Sequence, residues 1–165
     1  MFHEMRRKNQ LLPQEESVRI LERGASGVLA LYGEDGYPYA VPMSYQYDGE
    51  TLFFHCAKTG HKLDAIRHCE KASFCVIDQD KVVPEEYTTY FRSVIAFGTI
   101  RILETEQEMR AALQRLAQKY RPDGTAQDHT REIDGSLSRV CVLEFSIEHM
   151  TGKEAIELVR QRNKS

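Results

Sequence analysis

The clearest signal along the chain is a repeated change of hydrophobic period. Residues 13–24 (PQEESVRILERG) place Val18 and Leu21 on one side with Ile20 beside them. Pro13 precedes an acidic first turn and Gly24 follows the last one, so the segment predicts a helix. Residues 27–32 (GVLALY) form a short apolar strand, and the turn cluster GEDG follows, with Asp35-Gly36 as a hairpin signal. Residues 37–47 (YPYAVPMSYQY) read as one long strand in which Val41, Met43, Tyr45 and Tyr47 share a face; Asp48-Gly49 turns it into residues 51–56 (TLFFHC). After Gly60 the period becomes helical in HKLDAIRHC, with Leu63 and Ile66 on one side, and residues 72–78 (ASFCVID) return to a strand. Residues 81–90 predict a loop or a short edge strand, and residues 91–103 a long strand whose internal Gly98 marks a bulge or a close backbone approach.

The strongest helix is 105–120. Thr105 and Glu108 fit a capping box, and Met109, Leu113, Leu116 and Tyr120 form its stripe. Residues 123–138 read as polar and irregular. Residues 139–147 (RVCVLEFSI) form the last strong strand, and the tail TGKEAIELVRQRNKS begins with a turn and ends in a short helix. Strands joined by short turns, with helices inserted between them, predict a mainly β domain with an antiparallel barrel or sandwich. A chain of 165 residues suits a single domain over 1–165 with its own core. No GxGxxG follows a strand, which argues against a dinucleotide-binding Rossmann unit.

Composition narrows the function classes. A net charge of -3 at pH 7 argues against nucleic acid as partner, although Arg6, Arg7 and Lys8 make a local basic cluster. No apolar run approaches the roughly 20 residues that cross a bilayer, and the start MFHEMRRKNQ has no apolar core of a signal peptide. Cys56, Cys69, Cys75 and Cys141 form no CxxC pair. They read as reduced thiols of a cytoplasmic protein, with Cys75 and Cys141 as small core residues.

Candidate chemistry is densest in HCAKTGHK, residues 55–62. The segment leaves a strand, passes Gly60 and opens a helix, whose unpaired N–H groups and positive dipole end suit a phosphate. Lys62 adds a charge, and His61 and Thr59 add donors; a solvated turn explains the same residues. Arg92 and Ser93 open a strand from which they could complete an anion site, or form a charged edge. Pro42 lacks a backbone donor and predicts an edge or a bulge, where freed backbone groups can meet a planar heterocycle. Tyr39, Tyr45 and Tyr47 serve equally as barrel walls or packing aromatics. No metal site is expected: His55, Cys56, His61, His68 and Cys69 cluster in sequence, but adjacent strand residues point to opposite faces and no CxxC or HxxxH spacing occurs. No histidine is oriented toward Cys56 or Cys69 for nucleophilic catalysis, and His3, His129 and His149 read as surface residues.

The order GVLALYGEDGYPYAVPMSYQYDGETLFFHCAKTGHKLDAIRHCEKASFCVID, with RSVIAFGTIRIL and the MRRK start, resembles the nitroimidazole-resistance branch of the pyridoxamine-phosphate-oxidase-like flavoproteins. The resemblance implies a six-stranded antiparallel split β-barrel of Greek-key character with flanking helices. It also implies a homodimer with FMN at the subunit interface. By the same resemblance, Pro42, Met43, Ser44 and Tyr45 line the flavin ring, mostly through backbone groups. His55, Cys56 and Ala57 run beside the ring and ribityl chain, and His61 and Lys62 hold the phosphate, assisted by Ser93 and Arg92. His55 matches the family's functional histidine, with His61 as rival; the MRRK and TGK segments are similar to the family, which makes Arg6, Arg7, Gly152 and Lys153 further site candidates.

The implied activity is FMN-dependent reduction of a small electrophile, such as a nitroaromatic, with electrons from a reduced nicotinamide. Two alternatives stand beside it: a non-catalytic flavin carrier, store or sensor, and a haem-binding split barrel. Oxidation of pyridoxamine phosphate is not expected, because the C-terminal SIEHMTGKEAIEL lacks the arginine-rich motif of the true oxidases.

Overall fold

The computed structural model describes residues 1–164. Helix α1 (Gln14–Arg23) leads into β1 (Ser26–Tyr32), β2 (Pro38–Ser44), β3 (Gln46–Tyr47) and β4 (Thr51–Ala57). Helix α2 (His61–His68) and strands β5 (Lys71–Val83) and β6 (Thr88–Ile102) follow. Then come α3 (Glu106–Tyr120), α4 (Ala126–Ser136), β7 (Val140–Glu154) and α5 (Ile156–Arg162). Every strand pairing is antiparallel, in one seven-stranded sheet ordered β2-β1-β5-β6-β7-β4-β3.

That order dictates the shape. β2 and β3 lie at opposite margins of the sheet, yet only Tyr45 separates them in the chain. The sheet must therefore curl until its margins meet at Tyr45, and they meet without a ladder between them. This is a split barrel. The segment expected as one strand over 37–47 divides at Tyr45, so seven strands stand where six were expected.

Inward residues fill the barrel. Leu29, Phe54, Phe74, Val94, Leu143 and Phe145 are fully buried, and Phe74 meets Phe54 and Tyr45 edge-on at 5.1 and 5.0 Å between centroids. The predicted face of Met43, Tyr45 and Tyr47 belongs to this core, with Val41 packed against it. Helix α1 lays Ile20 and Leu21 on the same core. A second cluster forms outside, where α3 and α4 cover Phe53 and Val142 with Leu113, Leu116 and Ile133.

Turn chemistry follows the sequence closely. Gly36 and Gly49 take positive φ in the two predicted hairpins. The register slips between Phe97 and Gly98, and a Cβ on Gly98 would lie 1.9 Å from the Ser146 carbonyl oxygen, so both expectations for that glycine hold. Several expectations fail. Residues 81–90 are neither a loop nor a short strand: β5 runs to Val83, a turn spans Pro84–Glu86, and β6 resumes at Thr88. The irregular stretch 123–138 contains α4, opened by a Thr125–Asp128 capping box. The expected turn at Thr151 is strand, because β7 continues through Glu154. His129 is 3% exposed rather than superficial, between Gln114 and the Arg121 carbonyl. Cys141 is in the core as expected, whereas Cys75 is half-buried on the outer face opposite Ile95. Among the described residues no helix is long and apolar enough to cross a membrane.

Candidate functional site

The split is the structural origin of the candidate site. β3 and β4 start as a tight hairpin, Gln46 opposite Phe53, and then diverge: β2 turns away to pair with β1, and β4 with β7. Pro42, Met43, Ser44 and Tyr45 thus lie on one arm and His55, Cys56 and Ala57 on the other. Side-chain alternation sends Met43, Tyr45 and Cys56 into the core, and Pro42, Ser44, His55 and Ala57 outward and exposed.

Backbone alternation matters as much. The Gly33 N–H donates to the Tyr37 carbonyl, so in the β1–β2 register Tyr39, Val41 and Met43 bond to β1. Ala40, Pro42 and Ser44 turn their backbone groups toward the open margin. Proline is tolerated at 42 because the N–H it lacks would have pointed away from the ladder. The sequence expectation that Pro42 marks an edge therefore holds, and the margin offers carbonyl and N–H groups to a planar ligand.

Helix α2 sits where the β4 arm ends. Gly60, at φ 135°, delivers the chain into it, and no side chain caps its first turn. His61 opens the helix and stacks on Tyr39 of β2, 4.4 Å between ring centroids, which ties α2 to the opposite arm. Lys62 is half-buried and close enough to Cys56 for its charge to favour the thiolate, against a burial that pushes that thiol up to about 11. Tyr39, His61 and Lys62 therefore converge with the two arms on one mouth.

Two residues of this region had no functional signal in the sequence. The Lys119 ammonium donates to the Gly24 carbonyl at 2.5 Å and the Tyr45 carbonyl at 2.9 Å, and lies over the Tyr45 ring. Burial pushes its pKa down to about 8. The Tyr120 hydroxyl accepts from the Tyr45 N–H at 2.9 Å and lies 2.7 Å from the Tyr45 carbonyl and 2.5 Å from that of Ala25, beside Ser44. The end of α3 thus satisfies the backbone groups that the split leaves without a ladder. In the sequence Tyr120 is only the last residue of an apolar stripe.

Arg92 and Ser93 are not part of this mouth within one chain. Ser93 lies on β6, and β1 and β5 stand between that strand and the β2 margin. At roughly 4.8 Å per strand spacing that is about 14 Å along the sheet. The Arg92 guanidinium is committed to Glu154 at 3.3 Å and Asp78 at 3.7 Å, and Glu154, 1% exposed, also binds Arg162 at 2.9 Å. Ser93 faces outward opposite Lys153 and Ile77. Of the remaining family-pattern residues, Gly152 accepts from the Leu12 N–H and Lys153 bridges to Leu11, which straps the N-terminal segment to β7.

Comparison with known proteins agrees with this architecture. A conserved hypothetical protein from Mycobacterium tuberculosis superposes with a TM-score of 0.78 at 16% identity, over 92% of this chain and 90% of that one. A candidate 5-nitroimidazole antibiotic resistance protein from Bacteroides thetaiotaomicron gives 0.73 at 20% identity, over 93% and 96%. The FAD and heme binding protein from Mycobacterium smegmatis gives 0.70 at 20% identity, over 90% and 74%. No curated protein sequence matches the chain. At these identities the structural likeness establishes the fold. The sequence itself matches the pyridoxamine 5'-phosphate oxidase profile over residues 13–154, and the chain belongs to that family.

Proposed function

We propose that the protein binds FMN at the mouth of the split and works as an oxidoreductase. In this reading it passes electrons from a reduced nicotinamide to a small electrophile such as a nitroaromatic. The observation that carries the reading is the meeting of an uncapped helix start, Lys62 and His61 with two strand margins that offer backbone groups. The donor set suits a phosphate monoester: Lys62 supplies charge, and the first turn of α2 supplies N–H groups and a dipole. The planar ring fits the exposed margin of Pro42 and Ser44, with His55 and Ala57 on the facing arm. The family match and the descriptions of two structural neighbours, one in nitroimidazole resistance and one in binding FAD and heme, lend support.

When bound, the flavin supplies two-electron transfer. The chain's own residues do the rest. In this reading Lys62 and His61 anchor the phosphate end, the β2 margin orients the ring, and the exposed His55 imidazole gives a proton to the reduced acceptor. Arg92 and Ser93 reach the site only from a second copy. We assign that copy to the outer face of β5 and β6, where Ile77, Ile95 and Phe97 are 60%, 39% and 37% exposed. A monomer by light scattering at micromolar concentration would count against this dimer.

The phosphate assignment is tested by titrating FMN and riboflavin into the wild type and Lys62→Ala. A charge-assisted hydrogen bond contributes roughly 1.5–3 kcal/mol, so FMN should weaken about ten-fold or more. Riboflavin should change little. Equal weakening of both ligands would remove Lys62 from the phosphate site.

A further inference from the structure

Cys56 of β4 and Cys141 of β7 are directly opposite in register. Both side chains turn toward the barrel core, close enough for each thiol to influence the other's ionisation. The ladder fixes their spacing. The Ile147 N–H donates to the Glu50 carbonyl at 3.0 Å, so every second pair from there is a hydrogen-bonded pair: Leu52 with Phe145, Phe54 with Leu143, Cys56 with Cys141. Such pairs hold their Cα atoms about 5.5 Å apart. Disulfides span Cα separations of about 4.4–6.8 Å, so the pair lies within backbone reach of a bridge, and bringing the Cβ atoms to about 4 Å needs only a small closing of the two strands. The other two cysteines are placed differently: Cys69 ends α2, and Cys75 faces Val28 and Ile95.

We propose that Cys56 and Cys141 are a redox pair that a hydroperoxide converts to a cross-strand disulfide within one chain. Cys56 is half-buried and Cys141 buried, so Cys56 meets the oxidant first. Its thiolate attacks one peroxide oxygen, the O–O bond breaks, and the departing hydroxide leaves as water with the thiol proton, giving a sulfenic acid. The Cys141 sulfur then attacks the Cys56 sulfur. The S–S bond forms, the S–O bond breaks, and a second water leaves with the Cys141 proton. Two thiols lose two electrons, and the hydrogen peroxide that takes them becomes two waters. The bridge would fasten the end of β4, just before the loop to His61 and Lys62, onto β7. The inference rests on the β4–β7 register and is independent of the flavin reading.

Burial holds the Cys56 thiol at about 11, so oxidation should be slow at neutral pH. It should accelerate about ten-fold per pH unit over pH 7–9, following the thiolate fraction. The test treats the full, folded chain with hydrogen peroxide at pH 9, blocks thiols with iodoacetamide in denaturant, and maps unreduced peptides by mass spectrometry. The expected product is a Cys56–Cys141 cross-linked peptide from a chain that remains single on a non-reducing gel. Cys69 and Cys75 should be recovered alkylated, and the same treatment in urea should scramble the pairing. In Cys141→Ser, Cys56 should accumulate as a dimedone-trappable sulfenic acid. Cross-links to Cys69 or Cys75 at equal yield in the folded wild type would overturn the proposal. So would Cys56 reaching the sulfinic acid with Cys141 unmodified, or no loss of thiol.

Discussion

Tyr120→Phe removes a single oxygen from the seam of the split barrel. That hydroxyl accepts from the Tyr45 N–H at 2.9 Å and, with its one proton, donates to the carbonyl of either Tyr45 or Ala25. The Tyr45 carbonyl keeps its bond from Lys119 at 2.9 Å. The Tyr45 N–H keeps nothing, and it belongs to a residue with no exposed surface. Leaving a buried backbone donor unpaired costs about 1–3 kcal/mol. The Tyr120 ring is 45% exposed, so water can partly replace the hydroxyl, which places the expected loss near 1.5 kcal/mol. With a urea m-value of about 2 kcal/mol per molar for a chain of this size, the midpoint should fall by about 0.7 M at unchanged slope. Wild type and variant are compared by urea denaturation at one protein concentration, since any self-association would shift both midpoints. Tyr87→Phe is the control, because Tyr87 is 97% exposed and should move nothing. An unchanged midpoint in Tyr120→Phe would refute the view that the end of α3 closes the seam.

Two further predictions concern charge and catalysis. Asp78 is the extra residue of the β5 bulge, and its carboxylate receives two bonds of 2.7 Å from Arg23, which hold its pKa below the ordinary range. Asp78→Asn should cost about 1–2 kcal/mol at neutral pH, discounted because Arg23 is partly in solvent. Since the folded carboxyl titrates below the unfolded value near ~3.9, the deficit should be complete above that pH and fade as acid protonates the wild-type carboxylate. A deficit independent of pH in chemical denaturation would contradict the ion pair. His55→Ala should retain FMN and fold while nitroaromatic turnover falls roughly 10²–10⁴-fold, the usual worth of a general acid. Unchanged turnover would make His55 a surface residue, and a wild type that holds FMN but turns over no nitro acceptor with any nicotinamide would be a carrier.

The sequence was most legible where a single residue type is forced by local geometry. Gly98 signalled a bulge or a close backbone approach, Pro42 an edge or a bulge, and Thr105 a helix start, and each reflects a steric or hydrogen-bonding demand visible within a few residues. Local signals misled where they competed. Pro84, Glu85 and Glu86 hid the continuation of β5 into β6, although Val82, Val83, Thr88 and Thr89 are good strand formers. The polar composition of α4 hid a helix that only its Thr125–Asp128 box announced. The ion pair of Arg92 with Glu154 was not legible, because the partner lies 62 residues away. Lys119 and Tyr120 were invisible for the same reason: they answer backbone groups orphaned by the split, which exists only once the sheet has curled. The neighbourhood of Pro42, Ser44, His55, His61 and Lys62 was readable as a set through family resemblance, whereas the orientation of each side chain came from strand parity in the fold.

Whether the mouth of the split holds FMN is read from the absorption spectrum of the purified protein. The spectrum should show the paired near-ultraviolet and blue bands of a protein-bound flavin, with FMN the compound released on denaturation. If the protein is isolated empty, the same bands should shift on titration with FMN. A Soret band in their place, or a protein that neither carries FMN nor perturbs its spectrum when FMN is added, would rule out an FMN site at the split.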